Sequence, residues 1–223
     1  MVKKNYKKIT LFGSTGGLGN YLTSKFLENY EVITVSRKKH IGKNIHNITF
    51  ANFISNKNCI YPQKKIDREK IYNSKAIILT VGSFKATKNN LDINLEKSNF
   101  ELNFKFLNYL VLNKKKFRST CRVIVITSMN SEIPNLNSIS YCMSKAKISA
   151  AIDNFKIQLK NSKISLENIM PGPIDTNMRS KKIKECLSKK DIYETCNYLI
   201  NLSTDVTLDR IKIFNKNNFF IKY

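Results

Sequence analysis

Tyr141 and Lys145 stand four residues apart at the start of a stretch with helical spacing, so their side chains leave one face of a helix one turn apart. A phenol with an unperturbed pKa of about 10 is a poor acid–base catalyst at neutral pH, and a nearby ammonium favours its ionised form. Each unit of lowering corresponds to about 1.4 kcal/mol of differential stabilisation. Ser128 follows the β-branched run Arg122 to Thr127, which places its hydroxyl at the carboxyl end of a strand, where it can hydrogen-bond a substrate oxygen. Together the three side chains could hold an oxygen and move a proton to or from it.

A second group of residues suits phosphate. The run Gly13-Ser14-Thr15-Gly16-Gly17-Leu18-Gly19 follows the apolar stretch Ile9 to Phe12 and opens a helix whose apolar positions Leu18, Leu22, Phe26 and Leu27 share one face. Glycines at 13, 17 and 19 let the chain turn tightly, approach a pyrophosphate and pack the helix on the strand, and the free N–H groups of the helix start face the anion. The next apolar run, Val32 to Val35, completes a βαβ unit of about 30 residues, the context that a dinucleotide site requires. Its end reads Ser36-Arg37-Lys38-Lys39. An acidic residue there would bind a ribose 2′-hydroxyl, whereas the planar guanidinium of Arg37 suits a 2′-phosphate. The sequence therefore favours NADP over NAD.

The elements that must position these residues alternate along the chain. Ile48 to Phe53 reads as a weak third strand, the segment around Lys64 to Asn73 as a helix, and Ala76 to Val81 as a fourth strand of continuous apolar character. Residues 84 to 96 read as loop, Phe100 to Leu112 as a helix, Arg122 to Thr127 as a strand, Tyr141 to Leu159 as a long helix, and Ser165 to Met170 as a strand. Pro171-Gly172-Pro173 halts regular structure, two helical stretches span roughly 178 to 202, and Ile211 to Phe214 reads as a closing strand. The pattern predicts one α/β domain over residues 1–223, a Rossmann-type doubly wound parallel sheet with helices on both faces and its ligand at the carboxyl ends of the strands.

Bulk composition narrows the classes. A chain of 223 residues with 42% hydrophobic residues can fill one core, and it has no run of about 20 apolar residues to cross a bilayer. The basic start, Met1 to Lys8, leads into a strand and not into an apolar signal segment. Five scattered cysteines with no C-x-x-C pair suggest neither a disulfide framework nor a metal site. A soluble protein of the cytoplasm is expected. The formal charge of +23 raises affinity for anions in general. Its lysines run the whole length, and the dense runs Lys114 to Lys116 and Lys181 to Lys184 lack the interleaved aromatics of a base-stacking surface, so they read as solvated faces and no specific nucleic acid or membrane partner is expected. His40 and His46 read as surface residues, and Cys142 as a packing residue.

The set resembles the classical short-chain dehydrogenase/reductase (SDR) family from about residue 8 to residue 178. The matching pieces are Gly-Ser-Thr-Gly-Gly-Leu-Gly (13 to 19), Val-Ile-Thr-Ser (125 to 128), Tyr-Cys-Met-Ser-Lys (141 to 145) and Pro-Gly-Pro-Ile-Asp-Thr (171 to 176), in the family's order. The resemblance implies hydride transfer between NADP(H) and a carbonyl or secondary alcohol. It makes Tyr141 the general acid/base, Ser128 the group that orients the carbonyl, Lys145 the partner of the tyrosine and of the nicotinamide ribose, and Asn103 the asparagine of the proton relay. Gly13, Ser14, Thr15, Gly17, Leu18 and Gly19 would hold the cofactor together with Ser36, Arg37, Asn52 and Gly82. Tyr141, Lys145, Pro171, Gly172, Ile174 and Thr176 would line its nicotinamide end. Departures include Leu79-Thr80-Val81-Gly82 where the family has Asn-Asn-Ala-Gly, Asn52 where it has an aspartate, and Asn217-Asn218 near its glycine-rich close. A substrate lid is expected at about 177–195, with lysines to attract an anionic substrate, and a homodimer or homotetramer built on the helices that bear Asn103 and Tyr141. Two further readings remain open on the sequence: a non-catalytic dinucleotide-binding regulator or scaffold, and a sugar-nucleotide-modifying enzyme of the same family.

Overall fold

The computed structural model describes residues 7–85, 92–133, 135, 137–176 and 185–218. The described elements run β1 (Lys8–Phe12), α1 (Gly17–Phe26), β2 (Glu31–Ser36), β3 (Ile45–Thr49), β4 (Phe53–Ser55), β5 (Ile60–Pro62), α2 (Lys65–Tyr72), β6 (Ala76–Leu79), α3 (Ile93–Glu96), α4 (Leu102–Leu112), β7 (Cys121–Ile126), α5 (Ile139–Leu159), β8 (Ile164–Pro171), α6 (Lys189–Asn201) and β9 (Arg210–Ile213). Seven strands form one parallel sheet in the order β3-β2-β1-β6-β7-β8-β9. The chain winds outward in both directions from the β1/β6 junction, which is where a doubly wound sheet opens a crevice at its carboxyl edge.

Strand alternation divides the core into two layers. Phe12, Ile77, Leu79, Val123 and Val125 pack on one face with Phe106, Leu110, Ile148 and Ile152 of α4 and α5. Leu11, Ile78, Ile124 and Ile126 point the other way, onto Leu22 and Phe26 of α1 and Ile192, Cys196 and Leu199 of α6. The central strands are therefore covered on both faces, as Cys-Arg-Val-Ile-Val-Ile in β7 illustrates: all six residues are buried. Even its Arg122 is accommodated, because Glu167 of β8 forms an ion pair with it beneath the loop at 203–208.

Two expectations need correction. The third strand is Ile45–Thr49, not Ile48 to Phe53. As the edge of the sheet it buries only Ile48, so it carries no apolar run, while the apolar Phe50 and Phe53 that suggested a strand pack edge-on against Phe12 instead. Phe53 then starts an antiparallel hairpin, β4–β5, that the pattern did not reveal. Within the segment read as loop, Ile93–Glu96 is helical, capped by the Asp92 side chain, and it runs through a π-helical turn at Lys97–Glu101 into α4. Of the two helical stretches expected between 178 and 202, α6 is described, entered through a reciprocal Ser188/Asp191 capping box. The lysine run 181 to 184 and most of the expected lid's first half lie outside the described residues. Among the described residues no helix is long and apolar enough to cross a membrane, and no cluster of metal-ligating side chains occurs.

Candidate active site

The crevice above the β1/β6 junction is one continuous cleft with two ends that share Gly16, Thr80, Gly82 and Ser83. Its floor is the glycine turn. Gly13 has φ +95°, and a Cβ there would stand 2.9 Å from the Val81 nitrogen and from Thr80 Oγ1. A Cβ on Gly19 would lie 2.3 Å from the Gly13 carbonyl oxygen, so only glycine lets α1 come down onto the turn. Thr80, in place of the expected asparagine, locks that turn by donating from Oγ1 to the Gly13 carbonyl at 3.1 Å.

At one end the catalytic candidates converge. Ser128, Tyr141 and Lys145 line the same end of the cleft as Gly16, Gly17, Leu18 and Gly19. Ser128 lies two residues beyond the end of β7 and caps a short 3-10 turn, its Oγ accepting from the Asn130 N–H at 3.2 Å. The ring of Tyr141 lies 5.7 Å from Lys145 Nζ, one helical turn on, and meets Phe84 edge-on at 5.1 Å. Lys145 is only 5% exposed, and burial pushes its ammonium down to about 8. Pro171, Gly172, Ile174 and Thr176 close this end, as expected from the proline-glycine run.

The helix and strand that carry these groups are pinned by buried polar links. Thr127 Oγ1 donates to Asn168 Oδ1 at 2.6 Å, and Asn168 Nδ2 donates to Ser149 Oγ at 3.1 Å, tying β7 and β8 to α5. Asn99, fully buried in the π-helical turn, accepts from the Ser83 N–H at 2.7 Å and donates to the Ser83 carbonyl at 3.0 Å and to Ser144 Oγ at 3.2 Å. Its Oδ1 and Lys145 Nζ crowd the same point beside Gly82, where a Cβ would meet them at 2.8 and 3.1 Å. Asn99 thus sits nearer the lysine's environment than the asparagine singled out from sequence. Asn103 lies one turn further along, does not line the cleft, and donates from Nδ2 to the carbonyls of Asn99 and Val81 at 3.0 Å each. Two asparagines four apart on one helical face gave spacing alone no means to choose between them; the π turn distinguishes them, and it has no local sequence signature. Phe84 and Asn130 also line this end and were missed, because both lie outside the motifs and the regular elements that the sequence marks.

At the other end Gly13, Thr15, Ser36 and Arg37 line a cleft of about 540 Å³, with Phe50, Ser55 and Ile60 supplied by the turn after β3 and by the unforeseen hairpin. Asn52 is not among the lining residues, and its carbonyl accepts from the Gln63 N–H. Ser14 is fully buried beneath the turn, 3.0 Å from His40 Nε2. Neither histidine is the unpartnered surface residue expected: His40 is half-buried, and His46 Nε2 is 2.7 Å from a carboxylate oxygen of the buried Asp67 on α2.

This geometry defines a doubly wound α/β protein with a glycine turn and Ser128, Tyr141 and Lys145 at the crevice. The family model described as short chain dehydrogenase matches residues 78–186. A 3-ketoacyl-(acyl-carrier-protein) reductase from Brucella melitensis complexed with NADH superposes with a TM-score of 0.76 at 15% identity, covering 94% of this chain and 97% of that one. A short chain dehydrogenase from Burkholderia cenocepacia in complex with NADP gives 0.74 at 14% identity over 93% and 88% of the two chains. Serine dehydrogenase from Escherichia coli gives 0.69 at 14% over 92% and 96%. None of the curated proteins matches the chain in sequence. The short chain dehydrogenase model thus matches just under half of this chain, and the chain as a whole shares the fold of these structures.

Proposed function

We propose that the protein is an NADP(H)-dependent oxidoreductase that reduces a carbonyl, or oxidises a secondary alcohol, with Tyr141 as general acid/base. The observation that carries this reading is that Ser128, Tyr141 and Lys145 line the same end of the cleft as the glycine turn, with Lys145 Nζ 5.7 Å from the Tyr141 ring. A nicotinamide dinucleotide fits the residues present: Gly16 and Gly17 put no side chain between the start of α1 and the cleft, and Arg37 supplies a cation at the far end for a 2′-phosphate. When bound, it supplies or accepts the hydride.

The chain's own residues do the rest. Ser128 donates a hydrogen bond to the carbonyl oxygen, and Tyr141 gives that oxygen its proton as charge develops on it. Lys145 keeps a positive charge one turn away, which favours loss of the phenolic proton, and Thr176 stands at the nicotinamide end. Asn99 and Asn103 hold the Val81–Ser83 backbone and thereby the room that Lys145 occupies. We assign the protein to the cytoplasm as a homodimer or homotetramer, a reading supported by the exposed Leu112, Met143 and Ile157 on the outward faces of α4 and α5.

The test is Tyr141→Phe. The variant should bind NADPH as the parent does while turnover on any accepted carbonyl falls by about 100- to 10,000-fold, the range for loss of a general acid. Full turnover in a folded, NADPH-binding variant sinks the assignment.

A further inference from the structure

The loop between β2 and β3 carries Arg37, Lys38 and Lys39 exposed, yet it is tied down more firmly than an ordinary basic loop. Ser36 Oγ donates to the Lys38 carbonyl at 2.5 Å. Further along, the His40 N–H donates to Asn47 Oδ1 at 2.7 Å and Asn47 Nδ2 returns a bond to the His40 carbonyl at 3.0 Å, so one side chain of β3 grips both polar groups of the His40 backbone. The same Asn47 Oδ1 accepts from Thr34 Oγ1 of β2 at 2.8 Å, which fixes the grip to the sheet. The imidazole then reaches across to the glycine turn, with Nε2 3.0 Å from Ser14 Oγ. Burial holds this ring below its ordinary pKa, so near neutral pH it contributes a hydrogen bond and not a charge.

The two ends of this tether serve different anions. Ser14 belongs to the turn that faces a pyrophosphate, whereas Arg37 to Lys39 stand where only a 2′-phosphate would reach. The covalent length of an adenosine ribose fixes the separation of those two phosphates, so the protein gains from fixing the separation of its two subsites in advance.

We propose that His40 is a specificity-determining positioning residue for the cofactor: by joining Ser14 of the glycine turn to the Asn47-gripped cationic loop, it holds Arg37 at the distance that a 2′-phosphorylated dinucleotide requires. The inference rests on the dinucleotide reading above. His40 acts through Ser14 and Arg37 and makes no contact with the ligand in this account. A dinucleotide without the 2′-phosphate uses the turn alone and is indifferent to where the loop stands.

The experiment is a side-by-side fluorescence titration of NADPH and NADH into the parent protein, His40→Ala and His40→Gln. One lost neutral hydrogen bond corresponds to roughly a threefold to tenfold change in a dissociation constant. His40→Ala should weaken NADPH by about that factor and leave NADH unchanged, so that the preference narrows, while His40→Gln, which keeps a side-chain amide donor, should retain most of it. Unchanged NADPH affinity in His40→Ala overturns the proposal. Equal weakening of both dinucleotides also overturns it, since that is the mark of a collapsed turn. A parent protein that binds neither dinucleotide overturns the cofactor reading itself, and this inference with it.

Discussion

The two ends of the cleft are built differently. Around Ser128, Tyr141 and Lys145 the groups are buried, they stand just beyond a central strand and on a 21-residue helix, and each supporting contact has a second behind it: Thr127 to Asn168 to Ser149 on one side, Asn99 to Ser83 and Ser144 on the other. Around Arg37 the walls come from the end of β2, the turn that follows the edge strand β3, and a hairpin. Side chains on rigid central elements can hold a reacting geometry to fractions of an ångström, whereas groups on an edge can be exchanged without disturbing the core. Chemistry is thus fixed at one end and cofactor choice is adjustable at the other. Substitutions should separate accordingly, the first kind lowering turnover and the second altering affinity.

Ser128→Ala probes the first end and should have the largest effect. Losing a donor to the oxygen where charge develops costs about 100- to 1,000-fold in kcat, and because Ser128 makes no contact with the Arg37 region, NADPH titration should be unchanged. A comparable loss of NADPH affinity would mean that the ends are not separable. Gly82→Ala should follow, since its methyl group would press on Asn99 and Lys145, both buried and unable to move away cheaply. Turnover should drop by about tenfold or more, and because Gly82 lines both ends of the cleft any loss of NADPH affinity should be the smaller of the two effects. Arg37→Ala probes the other end. Removing a charge-assisted bond to phosphate should raise the NADPH dissociation constant by about 10- to 100-fold, leave NADH binding as it was, and leave the maximal rate at saturating cofactor unchanged. Weakening of both dinucleotides alike would break the comparison from this side.

The same contrast governed what could be read from sequence. Glycines 13 and 19, the Tyr141/Lys145 pair and the Pro171–Gly172 turn announce themselves because their roles depend on local backbone or on helical spacing, and the central strands announce themselves by continuous apolar character. Edge elements do neither. Ile45–Thr49 buries one residue of five, so its strand character comes from pairing with β2 and not from its own pattern. Phe50 and Phe53 look like strand residues because they are apolar, yet what they serve is the packing of Phe12. Asn99 and His40 act through partners 16 to 45 and 26 residues away, and no short window along the chain contains both sides of such a contact, whereas the β4–β5 hairpin is local but its strands are only three residues long.

The smallest effect at neutral pH, and the one that tests the buried end most directly, comes from Lys145. An unfolded chain keeps a lysine proton to about 10.5, whereas burial lets the folded protein release it near 8. The positive charge that favours Tyr141 ionisation is therefore present below pH 8 and lost above it. The kcat/KM profile, which reports groups of the free enzyme, should bend at about pH 8 and fall roughly tenfold per unit beyond. Stability should move the opposite way. Between pH 8 and 10.5 the unfolded chain binds a proton that the folded chain has lost, so this group makes stability rise with pH across that window, by about 3 kcal/mol in all. Denaturant titrations of the parent and of Lys145→Met at pH 7.5 and 10 separate the two effects, because the rise should vanish in the variant. If activity and stability of the parent instead decline together above pH 8, the alkaline loss is unfolding, and the buried lysine is not the group that limits the chemistry.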